Sequence, residues 1–291
     1  MEMQQVLNEF EKYLLRQGKT ENTIKNYLAD INNFTNYPHH RGDTPLSASK
    51  IDIEEYTRWL EKSGRAYTTI NRRIMSLRTF FDFLIEKGVR SDNPAEEVKA
   101  KKVARQNETR WLERHQVRQI FEAIDKTNNQ ESKRVRDRAI ISVLVNCGLR
   151  VQELCDLKME NLDFEHGIIE VVGKGGKYRK IPFNKATQKA VQRWLQYRDL
   201  DTPYVFHTER SLKMTPRAVQ HVTKQLSEVL PFTFTVHQLR HTALKNVADV
   251  TGKIEIVAAI AGHESVETSR RYIEPSLQEI SEAMQQNEYD F

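Results

Sequence analysis

Cysteine is nearly absent from this chain: Cys147 and Cys155 are the only two, and they form no CxxC pair. That excludes a disulfide scaffold and a cysteine-ligated zinc module, and two lone thiols in a helix-like region read as buried and reduced. A long apolar run is also missing. The longest such stretch, Ala139 to Leu149, is broken by Ser142, Asn146 and Gly148, well short of the roughly 18 apolar residues of a membrane span. No apolar block follows a basic stretch near the start, so no signal peptide is read, and the expectation is a cytoplasmic protein with no membrane partner. Internal repeats and low-complexity segments are lacking too. Charge of one sign is scarce: the net value is +5 over 291 residues, spread over both halves. Such a balance permits a polyanionic partner, whose surface would have to come from folded faces of both halves and not from one basic tail.

What is present is helical periodicity. At roughly 150 residues per domain the length suggests two domains. Val6, Leu7, Phe10, Tyr13 and Leu14 repeat at helical spacing, as do Ile24, Tyr27, Leu28, Ile31 and Phe34. Ile53, Tyr56 and Leu60 mark a third helix, and Ile70, Ile74, Leu77, Phe81 and Leu84 a fourth. Residues 1–95 therefore read as an all-helical domain. The polar stretch that follows Asn93 and Pro94 reads as a linker over residues 96–110.

A second domain over 111–275 reads as mixed and mostly helical, so that the fold class is mainly α with one small β-hairpin. Its strands are Ile168–Val172 and Tyr178–Phe183, flanking Gly173, Lys174, Gly175 and Gly176. Everything after the hairpin reads as helix, ending in a tail helix over 276–291 with Leu277, Ile280 and Met284 on one face. Such a stripe suits docking into a neighbouring protomer or capping its own domain.

Four short stretches carry chemistry: Cys147-Gly-Leu-Arg150-Val-Gln-Glu153, the hairpin turn Gly173-Lys174-Gly-Gly176, His237-Gln-Leu-Arg240-His241, and Ala261-Gly-His263 followed nine positions later by Tyr272. The hairpin is no phosphate-cradling P-loop, because five residues separate Gly167 from Gly173 and Lys174 is followed by Gly. His237 and His241 share one helical face, yet Gln238 stands where a zinc hydrolase needs Glu, and Arg240 would set a positive charge beside the cation. Taken together the residues suit a phosphodiester attacked without metal or other cofactor. Arg150 and Arg240 can each present a planar fork to non-bridging oxygens and stabilise the extra charge of the transition state. The Tyr272 hydroxyl can attack phosphorus once a base or positive field favours phenolate. His237 and His263 are candidates for base and for phosphate hydrogen bonding, and Lys174 for the acid that protonates the departing sugar oxygen.

In order and spacing these stretches resemble the signature of the tyrosine recombinases, the integrase family that includes phage integrases and Xer-type resolvases. The resemblance covers roughly residues 111 to 275. It implies Arg150, Lys174, His237, Arg240, His263 and Tyr272 as catalytic residues, with Glu153 buttressing the first arginine. It further implies cleavage of double-stranded DNA at an inverted-repeat core site through a 3′-phosphotyrosyl bond, strand exchange through a Holliday junction, and a tetramer of protomers on paired sites, with any accessory proteins unknown. The stretches Lys19 to Tyr27 and Thr68 to Arg73 resemble helix starts of the family's core-binding domain, which clamps DNA together with the catalytic domain, and Lys25, Arg72, Arg73 and Arg78 become candidate DNA contacts. With no arm-binding segment expected ahead of these helices, the resemblance points to a compact Xer-like or transposon-encoded recombinase, acting in integration, excision or resolution. Ala261 replaces the usual Leu before Gly262-His263, and Thr242-Ala-Leu departs from the usual aromatic-plus-small run; both are packing positions. A type IB topoisomerase would use similar residues without strand exchange, and a non-catalytic DNA-binding protein would not need Tyr272.

Overall fold

The computed structural model describes residues 3–38, 45–102, 111–127, 130–173, 176, 178–263 and 265–273, and the chain divides into two compact units, Met1–Gln106 and Asn107–Phe291. In the first unit four helices form where the apolar spacing places them: α1 (Met3–Arg16), α2 (Glu21–Thr35), α3 (Lys50–Lys62) and α4 (Tyr67–Glu86). Their starts are chemically marked. Thr20 caps α2, and Ser49 and Asp52 form a reciprocal capping box on α3 that satisfies otherwise orphaned backbone donors. The buried faces meet in an aromatic core in which the Phe10 ring lies 5.2 Å from Phe80 and 5.3 Å from Phe83.

Residues 96–102 differ from the linker expectation. Val98 is buried in the core of the first unit, Arg78 donates to the carbonyls of Ala95 (2.9 Å) and Val98 (2.6 Å), and the Lys101 amide donates to Asn71 (2.7 Å). A polar sequence around the single buried Val98 hides this docking, because the rest of it is made by backbone carbonyls and an amide that carry no side-chain signature.

The second unit surrounds α6 (Glu131–Cys147), a helix buried nearly all round and packed on α8 (Lys185–Tyr197) and α10 (Val236–Thr251). Around it lie α5 (Arg114–Thr127), α7 (Val151–Asp156), α9 (Pro216–Val229), α11 (Ile254–Ala261) and a 3₁₀ helix, Val266–Tyr272. A three-stranded antiparallel sheet runs β1 (Leu162–Asp163), β2 (Ile168–Val172), β3 (Tyr178–Pro182), with Val172 opposite Tyr178 at the hairpin mouth. The two-residue β1 is too short to register in sequence. Residues 199–215 are not helical, contrary to the expectation for everything beyond the hairpin. Asp199, Asp201 and Pro203 break the period, and the segment instead buries Val205, Phe206 and Met214 while the Val205 carbonyl accepts from the Trp194 indole at 2.8 Å. The tail stripe of Leu277, Ile280 and Met284 lies outside the described residues. Among the described residues no helix is long and apolar enough to cross a membrane.

Cys147 and Cys155 are both buried and unbridged. Burial pushes each thiol up to about 12, which removes the reactive thiolate near neutrality. An aromatic disulfide reagent is therefore expected to label neither cysteine in the native protein and both in denaturant; fast native labelling would contradict this packing.

Candidate active site

Arg150 sits where α6 ends. Gly148 takes the left-handed conformation at φ 64°, which glycine adopts without a Cβ penalty, and turns the chain so that Arg150 becomes the N-cap of α7. One turn on, Glu153 receives the Arg150 amide at 2.7 Å and the Arg150 guanidinium at 2.8 Å. Arg179, on β3, grips the same carboxylate with both terminal nitrogens, at 2.9 and 2.8 Å. Arg240, 5% exposed on α10, places a nitrogen 3.8 Å from it. Burial pushes the Glu153 carboxyl up, but the hydrogen bonds and charges of Arg179 and Arg150 outweigh this and hold it below the usual carboxylate range. For Arg240, burial, reinforced by the neighbouring Arg150 charge, lowers the guanidinium to about 10, which still leaves it cationic at neutral pH.

The three guanidiniums also read out consecutive carbonyls at the end of α11. Arg179 donates to Ile260 (3.0 Å), Arg240 to Ala261 (2.6 Å) and Arg150 to Gly262 (2.9 Å). Final-turn carbonyls lack intrahelical partners and carry the negative end of the helix dipole, so cations are stabilised there. Arg240 spans further, to the Gly148 carbonyl at 2.6 Å. Residues from α7, β3, α10 and α11 are thereby tied together around one carboxylate. Beside them opens a cleft of about 600 Å³ lined by Arg150, Arg179, His263 and Tyr178 among others.

His263 follows the left-handed Gly262 that ends α11, and its Nδ1 shares a 2.8 Å hydrogen bond with Ser269. Tyr272, at the end of the 3₁₀ helix, is 1% exposed and packs with Leu244, Ala248, Val257 and Ala261. Its hydroxyl shares a 2.5 Å hydrogen bond with Nδ1 of His241. His237, one turn before His241 and exposed, stands with its ring 4.0 Å from that of His241. The sequence weighs His241 as a metal ligand, whereas its place is against the tyrosine. Arg179 was missed altogether. Lys174 lies outside the described residues; to either side of it the Gly176 amide donates to the Gly173 carbonyl at 3.2 Å.

The four candidate DNA contacts of the first unit separate. Lys25 is exposed. Arg72 is half-exposed and pairs with the buried Asp30. Arg73 is largely buried against Asn33, Tyr56 and Asp30, and Arg78 is spent on the Ala95 and Val98 carbonyls.

Comparison with known proteins agrees over nearly the whole chain. Residues 110–279 match the phage integrase family model, and residues 7–88 match a phage integrase N-terminal SAM-like domain. The tyrosine recombinase XerA of Pyrococcus furiosus is 31% identical, covering 97% of this chain and 93% of its own. The tyrosine recombinase XerC of Leptospira interrogans is 29% identical, covering 96% and 92%. A crystal structure of XerA recombinase is similar with a TM-score of 0.54 and 25% identity over all of both chains. A lambda integrase dimer bound to a core site shares the fold, with a TM-score of 0.72 at 18% identity over 91% of this chain and 96% of that one.

Proposed function

The chain belongs to the phage integrase family and is a site-specific recombinase of the Xer tyrosine type, and we propose that Tyr272 is its nucleophile, acting on a DNA phosphate held by Arg150 and Arg240. The observation that carries this reading is the convergence of Arg150, Arg240 and His263 on the end of α11, beside an open cleft. Guanidiniums fixed in advance by Glu153 and helix carbonyls meet developing negative charge without reorganising, which is where preorganised electrostatics acts most strongly. The Tyr272 oxygen forms a bond to phosphorus as the bond to the 5′ oxygen breaks, and Lys174 delivers the proton that this oxygen needs. The product is a 3′-phosphotyrosyl link. A 5′ hydroxyl from a partner strand then attacks it, regenerating the phenol and a phosphodiester, so phosphoester bonds are conserved in number.

His263 and His237 supply hydrogen bonds to the phosphate, the latter from the first turn of α10, whose dipole favours an anion. His241 is the group positioned to accept the phenol proton in the arrangement described, through the bond to Tyr272. Because Tyr272 is buried, the 3₁₀ turn Val266–Tyr272 must shift for its oxygen to meet a phosphate in the cleft. Residues 1–95 add DNA contacts, with exposed Lys25 and half-exposed Arg72 the better placed of the four candidates. The substrate is double-stranded DNA carrying an inverted-repeat core, in the cytoplasm, with four protomers on two paired sites and exchange through a Holliday junction.

The test is a reaction with labelled duplex carrying paired core sites. Holliday junctions and recombinant strands are expected, whereas relaxation of supercoils without either product would favour topoisomerase action. Strand cleavage is also expected to survive excess EDTA with less than about a twofold change, since the charge stabilisation rests on fixed guanidiniums. Loss of cleavage restored by added magnesium or zinc would contradict that mechanism.

A further inference from the structure

Arg179 belongs to none of the stretches that suggested the chemistry, yet it donates more of the site's described hydrogen bonds than Arg150 or Arg240 does through its guanidinium. Its side chain is 13% exposed, and all three guanidinium nitrogens donate: two to the separate oxygens of Glu153, one to the Ile260 carbonyl. Only a planar fork can make those bonds at once. The neighbouring backbone is shaped around it. A Cβ on Gly262 would come within 2.9 Å of an Arg179 nitrogen and 3.1 Å of its central carbon, and Gly262 has φ +59°, so a side chain here would be conformationally strained and would displace the Arg179 guanidinium.

We propose that Arg179 is a positioning residue for strand cleavage: it holds Glu153 and the end of α11 in the one arrangement that aims Arg150, Arg240 and His263 at the same phosphate. The inference rests on the function proposed above and adds a coupling to it. Arg179 lies on β3, the strand leaving the Lys174 turn, so one guanidinium fastens the strand of the acid-bearing hairpin to the phosphate cradle. Without it, Glu153 loses its bidentate partner, Arg150 can rotate with the carboxylate, and the Ile260 carbonyl is left unsatisfied. The phosphate is still bound by charge but no longer in register with the tyrosine.

The experiment measures single-turnover cleavage of a nicked suicide duplex, and the half-saturating DNA concentration, for the parent, Tyr272→Phe, Arg179→Gln, Arg179→Lys, Glu153→Gln and the double variant Arg179→Gln with Glu153→Gln. Supporting groups of this kind typically contribute about 10- to 100-fold, and that loss of cleavage rate is expected for Arg179→Gln, with half-saturation changed by less than about threefold. Arg179→Lys keeps a charge near Glu153 without the fork and is expected to fold and to lie between parent and Arg179→Gln. Because Arg179 acts through Glu153, the double variant is expected to cleave within about threefold of Glu153→Gln alone. Parental cleavage rates in both Arg179 variants, a defect confined to DNA affinity, multiplying losses in the double variant, or failure of both Arg179 variants to fold would each overturn the inference. Absence of a covalent adduct in the parent would instead overturn the proposed function, and a persistent adduct in Tyr272→Phe would overturn its nucleophile.

Discussion

Replacing Tyr272 by Phe is expected to lower strand cleavage by about 10⁴-fold or more, equivalent to ~5.4 kcal/mol of barrier, while DNA binding and the fold persist. The substitution removes one oxygen. The ring keeps its place among Leu244, Ala248, Val257 and Ala261, so packing volume is conserved. The cost to stability is that of leaving a buried His241 without the phenol bond, about 1–3 kcal/mol. No other side chain can stand in, because the mechanism needs a covalent link whose energy is returned on rejoining. A gel assay of a nicked suicide duplex checks it: the parent accumulates a protein–DNA adduct and Tyr272→Phe none, although both shift the duplex equally.

The second large effect is at Arg240. Its guanidinium bridges the Gly148 and Ala261 carbonyls and faces Glu153, deep in the site. Arg240→Ala removes the cation and leaves those groups buried without their partner, which costs about 3–5 kcal/mol of stability when a buried pair is broken. Arg240→Lys separates chemistry from folding. An ammonium retains charge near Glu153 but cannot reach two carbonyls and a phosphate oxygen together. Cleavage by Arg240→Lys is therefore expected to fall about 10²- to 10³-fold, the range for losing one preorganised transition-state donor. Thermal unfolding and single-turnover kinetics on the same preparation check both halves. Arg240→Lys cleaving at close to the parental rate would mean that Arg240 serves only the fold.

The helices of the first unit were legible because each buries one apolar stripe. Arg150, Arg240, His263 and Tyr272 stand out as candidates because each sits in a short local pattern, and the structure places the first three at one helix end. Arg179 does not stand out. An arginine on a hairpin strand reads as solvated, and its meaning comes from partners 26 and 81 positions away, Glu153 and Ile260. The place of His241 against the tyrosine was hidden for the same reason, since its partner Tyr272 lies 31 positions on. Arg73 and Arg78 show the converse. The resemblance made them candidate DNA contacts, and within their own unit Arg73 lies against Asn33, Tyr56 and Asp30 while Arg78 donates to the Ala95 and Val98 carbonyls. Sequence patterns report side-chain type at fixed spacing, and a cradle assembled from helix-end carbonyls leaves almost no such trace.

The most direct measurement is the mass of the peptide that carries DNA after a suicide duplex is trapped, digested with nuclease and protease, and fragmented. The account predicts one modified residue, Tyr272, bearing a nucleotide through its 3′ phosphate and leaving a free 5′ hydroxyl on the other fragment. A nucleotide on any other residue, or a link through a 5′ phosphate, would contradict it.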